Sequence, residues 1–132
     1  MSTGPDDLAA EYVPRLRRNL EETVLDFWLP RCLDDDHGGY LLSYDETGAF
    51  AGNDDKMLVT QSRMVWLFSR LSRSDVVDGD YLDEAELGYE FLRDEMHDDE
   101  HGGFVWEVSR SGDVLKPRKH LYGQSFALYG LS

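Results

Sequence analysis

The chain repeats its own sequence with a period of about 64 residues. Residues 34–40 (DDDHGGY) return 64 positions later as residues 98–104 (DDEHGGF). Further matches follow in the same order at a step of 63 residues: Lys56 with Lys119, and Gln61-Ser62 with Gln124-Ser125. Several motifs that recur in one order at one period are typical of stacked supersecondary units, which bury their faces against one another.

The first unit, about residues 8–73, has the pattern of a helix, a short hairpin and a second helix. Apolar residues between Leu8 and Trp28 are spaced by three and four, which predicts an amphipathic helix that Pro30 ends. The expected inward stripe comprises Leu8, Tyr12, Val13, Leu16, Leu20, Val24, Phe27 and Trp28. A strand over 40–44 and a polar turn follow, and then a helix over about 55–73 with Leu58, Met64, Val65, Phe68 and Leu71 inward.

The second unit, about residues 80–132, repeats this plan after a loop over 72–80. We expect a helix over 81–96 with Leu82, Ala85, Tyr89 and Leu92 inward, a strand over 104–108 and a last helix from about Arg118 or Lys119. The fold class is therefore all-α: helical hairpins with short β-hairpin insertions. The sequence stops within an amphipathic run with no capping signal, and two helical hairpins are too few to close a ring of repeats. We expect the chain to be the front of a longer protein, or to assemble with other copies as a homo-oligomer.

Charge and composition exclude several classes of protein. The chain has 13 basic and 27 acidic residues and a formal net charge of −14, which excludes nucleic-acid binding by phosphate neutralisation and disfavours an anionic membrane as a partner. Its apolar runs are far shorter than the roughly 18 residues of a membrane span. One cysteine allows no internal disulfide, and the first residues lack the pattern of a signal peptide. Asp outnumbers Glu, Arg outnumbers Lys, and the acidic residues are spread along the chain, which predicts a protein adapted to concentrated salt. Because the sequence shows neither a signal peptide nor a membrane span, we expect the protein to be cytoplasmic.

Three segments together resemble a known family. Along the chain they are residues 61–66 (QSRMVW), residues 98–103 (DDEHGG) and residues 119–127 (KHLYGQSFA). In this order they resemble the N-acylglucosamine 2-epimerase family, which includes cellobiose 2-epimerases and aldose–ketose isomerases. The resemblance extends from about Leu16 to Ser132. It implies an (α/α)6 barrel, of which this chain would hold the first two of six hairpins, about the first third.

The resemblance also implies a chemistry. These enzymes remove a proton α to the carbonyl of a ring-opened sugar and return it to the other face or to the neighbouring carbon. Such a reaction needs two acid/base groups, usually histidines, and a cation or donors at the developing oxyanion. In the family those histidines lie on later helices, beyond residue 132. The implied partner is a free aldose or a reducing-end disaccharide, with no cofactor.

Four residues are candidate sugar contacts on the strength of the resemblance. Arg63 matches an arginine at the reacting end of the sugar, and Tyr122 matches a tyrosine at the barrel mouth; His120 and Gln124 lie in the same motif. Each has a structural alternative. Arg63 could pair with a neighbouring Asp, while Tyr122 and His120 could be hydrogen-bonded core residues. Gln124 recurs as Gln61, which favours a bond to a hairpin backbone.

Other interpretations of the sequence stay open. His37 and His101 stand beside carboxylates, but neither copy completes a metal-ligand set, and the adjoining glycines favour a structural corner. We therefore expect no metal site. The alternatives to a sugar isomerase are a non-catalytic remnant or oligomerising helical scaffold, and a glycoside hydrolase on the same barrel. A hydrolase would need two carboxyl groups about 5 to 10 Å apart across a glycosidic bond.

Overall fold

A computed structural model describes residues 4–132, in which helices flank two loop-and-hairpin regions. The helices are α1 Pro5–Arg18, α2 Asp26–Trp28, α3 Leu58–Ser72, α4 Leu82–Phe91 and α5 Leu121–Leu131. The short strands are β1 Lys56–Met57, β2 Glu107–Val108 and β3 Val114–Lys116. Two π-helical segments, Asn19–Leu25 and Leu92–Met96, extend α1 and α4. The helix–hairpin–helix plan of both units is confirmed.

The first helix forms as the sequence predicts but does not bury the predicted stripe. Pro5 opens α1 at a position where a missing N–H costs nothing, and Asp6 and Asp7 suit the positive helix start. The first half of the expected stripe is 45–66% exposed: Leu8, Tyr12, Val13 and Leu16. The prediction that these residues are inward is wrong, because α1 has no buried residue in the described structure. Burial begins in the following π-helical segment, at Leu25.

Helix α3 lies at the centre of the fold, with α4 packed against one side and α5 against another. Four of the five predicted inward residues are buried: Leu58, Val65, Phe68 and Leu71. Met64 is half-buried beside this core. The second unit therefore supplies most of the cover for the inner helix of the first.

Helix α4 faces the core with a narrower surface than its pattern predicts. Ala85 and Leu92 are buried as expected, but Leu82 and Tyr89 are exposed. The prediction for these two residues is wrong because they line an open groove of about 450 Å³, together with Arg70 of α3 and Arg73 just after that helix.

The predicted strands are shorter than expected. Residues 40–44 form two isolated bridges in place of a strand, Leu33 with Tyr40 and Tyr44 with Phe50, and the strand predicted over 104–108 is reduced to β2. β2 lies between β1 and β3 in an antiparallel sheet. Because β1 belongs to the first unit and β2 and β3 to the second, this sheet joins the two repeats.

The acidic Gly-Gly segments form the expected structural corners. One carboxylate oxygen of Asp34 accepts hydrogen bonds from the backbone N–H groups of Asp36 and His37, at 3.2 and 3.1 Å. Asp98 does the same in the second unit. Gly39 has φ +69°, and a Cβ there would lie 2.7 Å from Oε1 of Gln61, so only glycine fits.

Candidate functional site

A groove of about 670 Å³ lies between the inner helices α3 and α5. Its polar groups are one guanidinium, three hydroxyls and one indole N–H; the rest of the wall is apolar, and three of the nine lining residues are aromatic. The lining residues are Leu42, Thr60, Arg63, Met64, Trp66, Leu67, Ser125, Phe126 and Tyr129. A concave apolar site with a few polar groups is the usual form of a small-molecule site.

Arg63 is the cationic group of this groove. It projects from α3, is exposed, and has its guanidinium carbon 5.7 Å from the centroid of the Phe126 ring. Within residues 4–132 the ion pairs do not include Arg63, so the predicted alternative of an inter-helix salt bridge is not formed there. A guanidinium held over an aromatic face and unpaired with carboxylate can donate to oxygen atoms of a ligand.

Aromatic side chains from both helices form the groove wall. Trp66 of α3 stacks on Tyr129 of α5, with ring centroids 5.3 Å apart and planes 21° from parallel. Phe126 meets Tyr122 edge-on, one turn earlier on α5. Phe126 is not among the four candidate sugar contacts that the resemblance gives. The spacing of 122, 126 and 129, which places all three on one helix face, could have revealed it.

The other sequence candidates lie outside the lining of this groove. Tyr122 is 61% exposed, and the ring of His120 lies 4.7 Å from that of Trp106, just before α5 begins. The structure thus places Arg63 in the groove without bringing His120 or Gln124 there. Tyr122 lies near it, through its contact with Phe126.

Gln124 has the backbone-binding role that its recurrence predicts. Its amide nitrogen donates to the carbonyl of Phe104 at 2.7 Å, and its amide oxygen accepts from the N–H of Phe104 at 2.8 Å. Gln61 makes the same two hydrogen bonds with Tyr40, both at 2.9 Å. The structural alternative for this pair is confirmed, and the amide of Gln124 is already occupied by the main chain.

We expect Gln61→Ala to destabilise the chain more than Gln124→Ala. Gln61 and its partner Tyr40 are fully buried, so the variant leaves a buried N–H and C=O unpaired, at a cost of about 2 to 3 kcal/mol. Gln124 and Phe104 are half-buried, and water can replace the lost bonds at a cost of about 1 kcal/mol. Urea unfolding of both variants measures the difference, and equal losses would contradict it.

A buried ion cluster joins the two repeats. Nζ of Lys56 lies 2.7 Å from Oδ2 of Asp34, and both side chains are fully buried. From the hairpin of the second unit, Arg110 donates two hydrogen bonds to Asp34, each of 3.0 Å. Burial alone would raise the pKa of Asp34, but the hydrogen bonds from Arg110 and Lys56 outweigh it and hold that pKa well below its usual range. The sequence signalled Lys56 by its recurrence and gave no signal for Arg110.

Nothing in the described part of the chain resembles a metal centre or a reactive thiol. Residues 4–132 contain no group of three or more His, Cys, Asp or Glu side chains arranged to hold a metal ion. Cys32 is fully buried, and burial raises the pKa of its thiol to about 12. Among the described helices, none has the length and apolar content to cross a membrane.

Comparison with known proteins identifies the family. The model of the N-acylglucosamine 2-epimerase family (GlcNAc 2-epimerase) matches residues 38–132, well over half of the chain. The chain belongs to the N-acylglucosamine 2-epimerase family. A relative from Dictyoglomus turgidum, a cellobiose 2-epimerase, is 36% identical over 121 residues, which cover 86% of this chain and 29% of the relative. The cellobiose 2-epimerase of Ruminococcus albus is 32% identical, with 91% of this chain and 30% of the relative covered.

Solved structures confirm the fold of this family member. The cellobiose 2-epimerase of Bacillus thermoamylovorans superposes with a TM-score of 0.82 and 31% identity, covering 92% of this chain and 31% of that one. A D-mannose isomerase superposes with a TM-score of 0.75 at 21% identity, a likeness of fold alone. The chain therefore has the fold of part of an (α/α)6 barrel and spans about 30% of the length of the relatives it matches.

Proposed function

We propose that this chain is the first third of a sugar 2-epimerase or aldose–ketose isomerase, and that it supplies one wall of the sugar site. The observation that carries the proposal is Arg63, a guanidinium without a carboxylate partner among residues 4–132, in an aromatic-lined groove between the inner helices. Membership of the family supports the reaction class. The groove lining contains no Asp, Glu or His, so the two carboxyl groups of a glycoside hydrolase, like the two histidines of an isomerase, would have to come from outside this lining.

The proposed reaction is proton abstraction α to a carbonyl. A base takes the proton from C2 of the ring-opened sugar, and the C–H electron pair forms the C1–C2 double bond as the carbonyl oxygen gains charge. Return of the proton to the opposite face of C2 gives the 2-epimer. Its return to C1, with transfer of the hydroxyl proton of O2 to O1, gives the ketose. The guanidinium of Arg63 donates to the oxygens on which charge develops, which lowers the barrier. The two acid/base histidines come from helices beyond residue 132.

The proposed substrate is a free aldose or a disaccharide with a reducing end. The name of the relatives, cellobiose 2-epimerase, supports a disaccharide with a reducing end. Proton transfer through an enediolate needs no electron acceptor, so the proposal includes no cofactor. The stacked pair Trp66 and Tyr129 offers a flat apolar surface against which a sugar ring can lie, beside the Arg63 guanidinium.

Incubation in heavy water tests the proposal on the native gene product. With cellobiose and mannose as probes, we expect deuterium at C2 of a recovered 2-epimer, or at C1 of a ketose product, detected by NMR. Isomer formation without solvent deuterium would contradict the enediolate route, because a hydride shift carries no solvent proton. New reducing ends would indicate the hydrolase. The absence of both an isomer and new reducing ends would favour the non-catalytic scaffold.

We expect the 132-residue chain by itself to show no turnover on either sugar. The proposed acid/base pair is outside these residues, and removal of such groups commonly costs 10²–10⁴-fold each in rate. The measurement is isomer formation over days at high protein concentration, with the native gene product as the positive control. Turnover by the 132-residue chain would overturn the assignment of proton transfer to later helices.

A further inference from the structure

The two inner helices have the same repeat register but opposite burial. Leu58 and Val65 of α3 are 0% and 4% exposed, whereas Leu121 and Leu128, which stand 63 residues later on α5, are 82% and 73% exposed. The first pair is buried because the second repeat covers it. The second pair presents a comparable apolar surface that no described residue covers.

The backbone before each inner helix shows the same contrast. Residues 56–57 form β1 and pair with β2 of the next repeat, and the N–H of Leu58 donates to the carbonyl of Trp106 at 2.9 Å. The corresponding residues 119–120 precede α5 and take part in no strand pairing in the described structure. An unpaired edge of this kind is a template for another strand.

The charged groups at this edge are also incomplete by comparison with the first repeat. In repeat 1, Arg110 from the hairpin turn of repeat 2 closes over the Asp34–Lys56 pair. In repeat 2, Lys119 pairs with Asp98, but the two side chains are 30% and 23% exposed and receive no guanidinium from residues 4–132. Lys119 and the N–H groups of His101 and Glu100 hold the pKa of Asp98 well below its usual range, so it is an anion at neutral pH.

We propose that the open edge of repeat 2, formed by Leu121, Leu128, residues 119–120 and the Asp98–Lys119 pair, binds a further helical-hairpin repeat that carries a basic residue at the turn position of Arg110. The apolar pair supplies the contact area, and the free backbone pairs with the incoming hairpin. The carboxylate of Asp98 takes the guanidinium in the two-bond geometry that Asp34 shows. The charge at the turn decides which repeat fits.

A second copy of this chain is a poor occupant of that edge. The turns of the two repeats match bond for bond: the N–H of Asp45 donates to Ala49 at 2.9 Å, as Ser109 does to Asp113 at 2.8 Å. In this register Glu46 occupies the position of Arg110. Head-to-tail docking of another copy would therefore bring Glu46 against Asp98, and like charges at an interface oppose binding.

A tandem chain tests the proposal directly. Ser69 and Ser132 occupy the same repeat position, so a second copy of residues 70–132 joined after Ser132 continues α5 as the chain continues α3. It places the second copy's Arg110 opposite Asp98. We expect amide hydrogen exchange within α5 to slow at least tenfold relative to the 132-residue chain, since the added repeat covers Leu121 and Leu128.

The charge requirement has a matched control in the second copy. Arg110→Glu there should reverse most of the added protection of α5, while Arg93→Glu there, the same charge change at an exposed arginine, should retain it. Asp98→Asn in the first copy should remove the difference between the two variants. The proposal is overturned if added residues leave exchange in α5 unchanged, or if the two arginine variants behave alike.

A single substitution in the 132-residue chain gives an independent test that needs no added repeat. Glu46→Arg supplies the basic turn residue in repeat 1, so one copy can dock on the open edge of another. We expect the self-association constant of Glu46→Arg in low salt, measured by sedimentation equilibrium, to be at least tenfold above that of the native chain. Adding Asp98→Asn to this variant should bring the constant back to the native value. No rise, or a rise that survives Asp98→Asn, contradicts the proposal.

Discussion

Asp34→Ala is expected to lower the free energy of unfolding of the chain by about 3 to 5 kcal/mol. The variant leaves the ammonium of Lys56 fully buried without its carboxylate, beside the ring of Phe91. It also removes the two hydrogen bonds from Arg110 that tie the hairpin of repeat 2 to repeat 1. A loss of this size is a large part of the total stability of a small domain. Urea unfolding followed by circular dichroism measures it.

The repeat supplies its own control for this experiment. Asp98 makes the same corner and the same lysine pair, but its side chain is 23% exposed where that of Asp34 is 0%. Asp98→Ala should therefore cost about 1 kcal/mol, because solvent screens the lysine that it leaves behind. Equal losses for the two variants would show that burial is not the source of the effect.

The stabilisation by Asp34 has a defined dependence on pH. Because its folded pKa lies below the ordinary value of about 3.9, the contribution is complete above that value and is lost as the pH falls below it. We expect the difference in unfolding free energy between the native chain and Asp34→Ala to be constant from pH 5 to 7 and to shrink below about pH 3.9. A difference that grows in acid would contradict the assigned sign.

Arg63→Met is expected to reduce kcat of the native gene product by about 10²- to 10³-fold, the usual cost of removing one donor at a developing oxyanion. Since the guanidinium acts on charge that appears in the transition state, kcat should fall by a larger factor than KM rises. Arg63 is exposed and takes part in no ion pair within the described residues, so the variant should fold normally. Steady-state kinetics on the proposed aldose substrate provides the measurement.

Arg70→Met is the matched control for Arg63. Arg70 is an exposed arginine of the same helix that faces the other groove, beside Arg73 and Leu82. We expect its kcat to stay within about threefold of the native value. Similar losses in both variants would mean that the groove between α3 and α5 is not the site where charge develops.

The elements that local sequence specifies were predicted well. The Gly-Gly corners, the carboxylates that bond their backbones, and the Gln61 and Gln124 side chains that hold the hairpins all follow from motifs that recur. Each of these interactions lies within one repeat and spans at most 21 residues. A motif of residue types at fixed spacing is enough to predict such contacts, because the chain brings them together in each copy.

Burial was predicted less well, because it depends on neighbours that the local pattern does not describe. Leu8, Tyr12 and Leu16 show the same helical spacing as the core residues of α3, yet they are exposed. Periodicity indicates which face of a helix is apolar, and the packing of other elements decides whether that face is covered. The same reason explains the exposure of Leu82 and Tyr89.

The sequence by itself determined the repeat, the helix–hairpin–helix plan and the likeness to a family of sugar isomerases. The tertiary structure alone decided that Arg110 closes over Asp34, 76 residues earlier in the chain. It also decided that Leu58 is buried while Leu121, at the same repeat position, is exposed. Local interactions recur wherever the motif recurs, whereas contacts between repeats require a specific neighbour, and the two copies of the repeat have different neighbours.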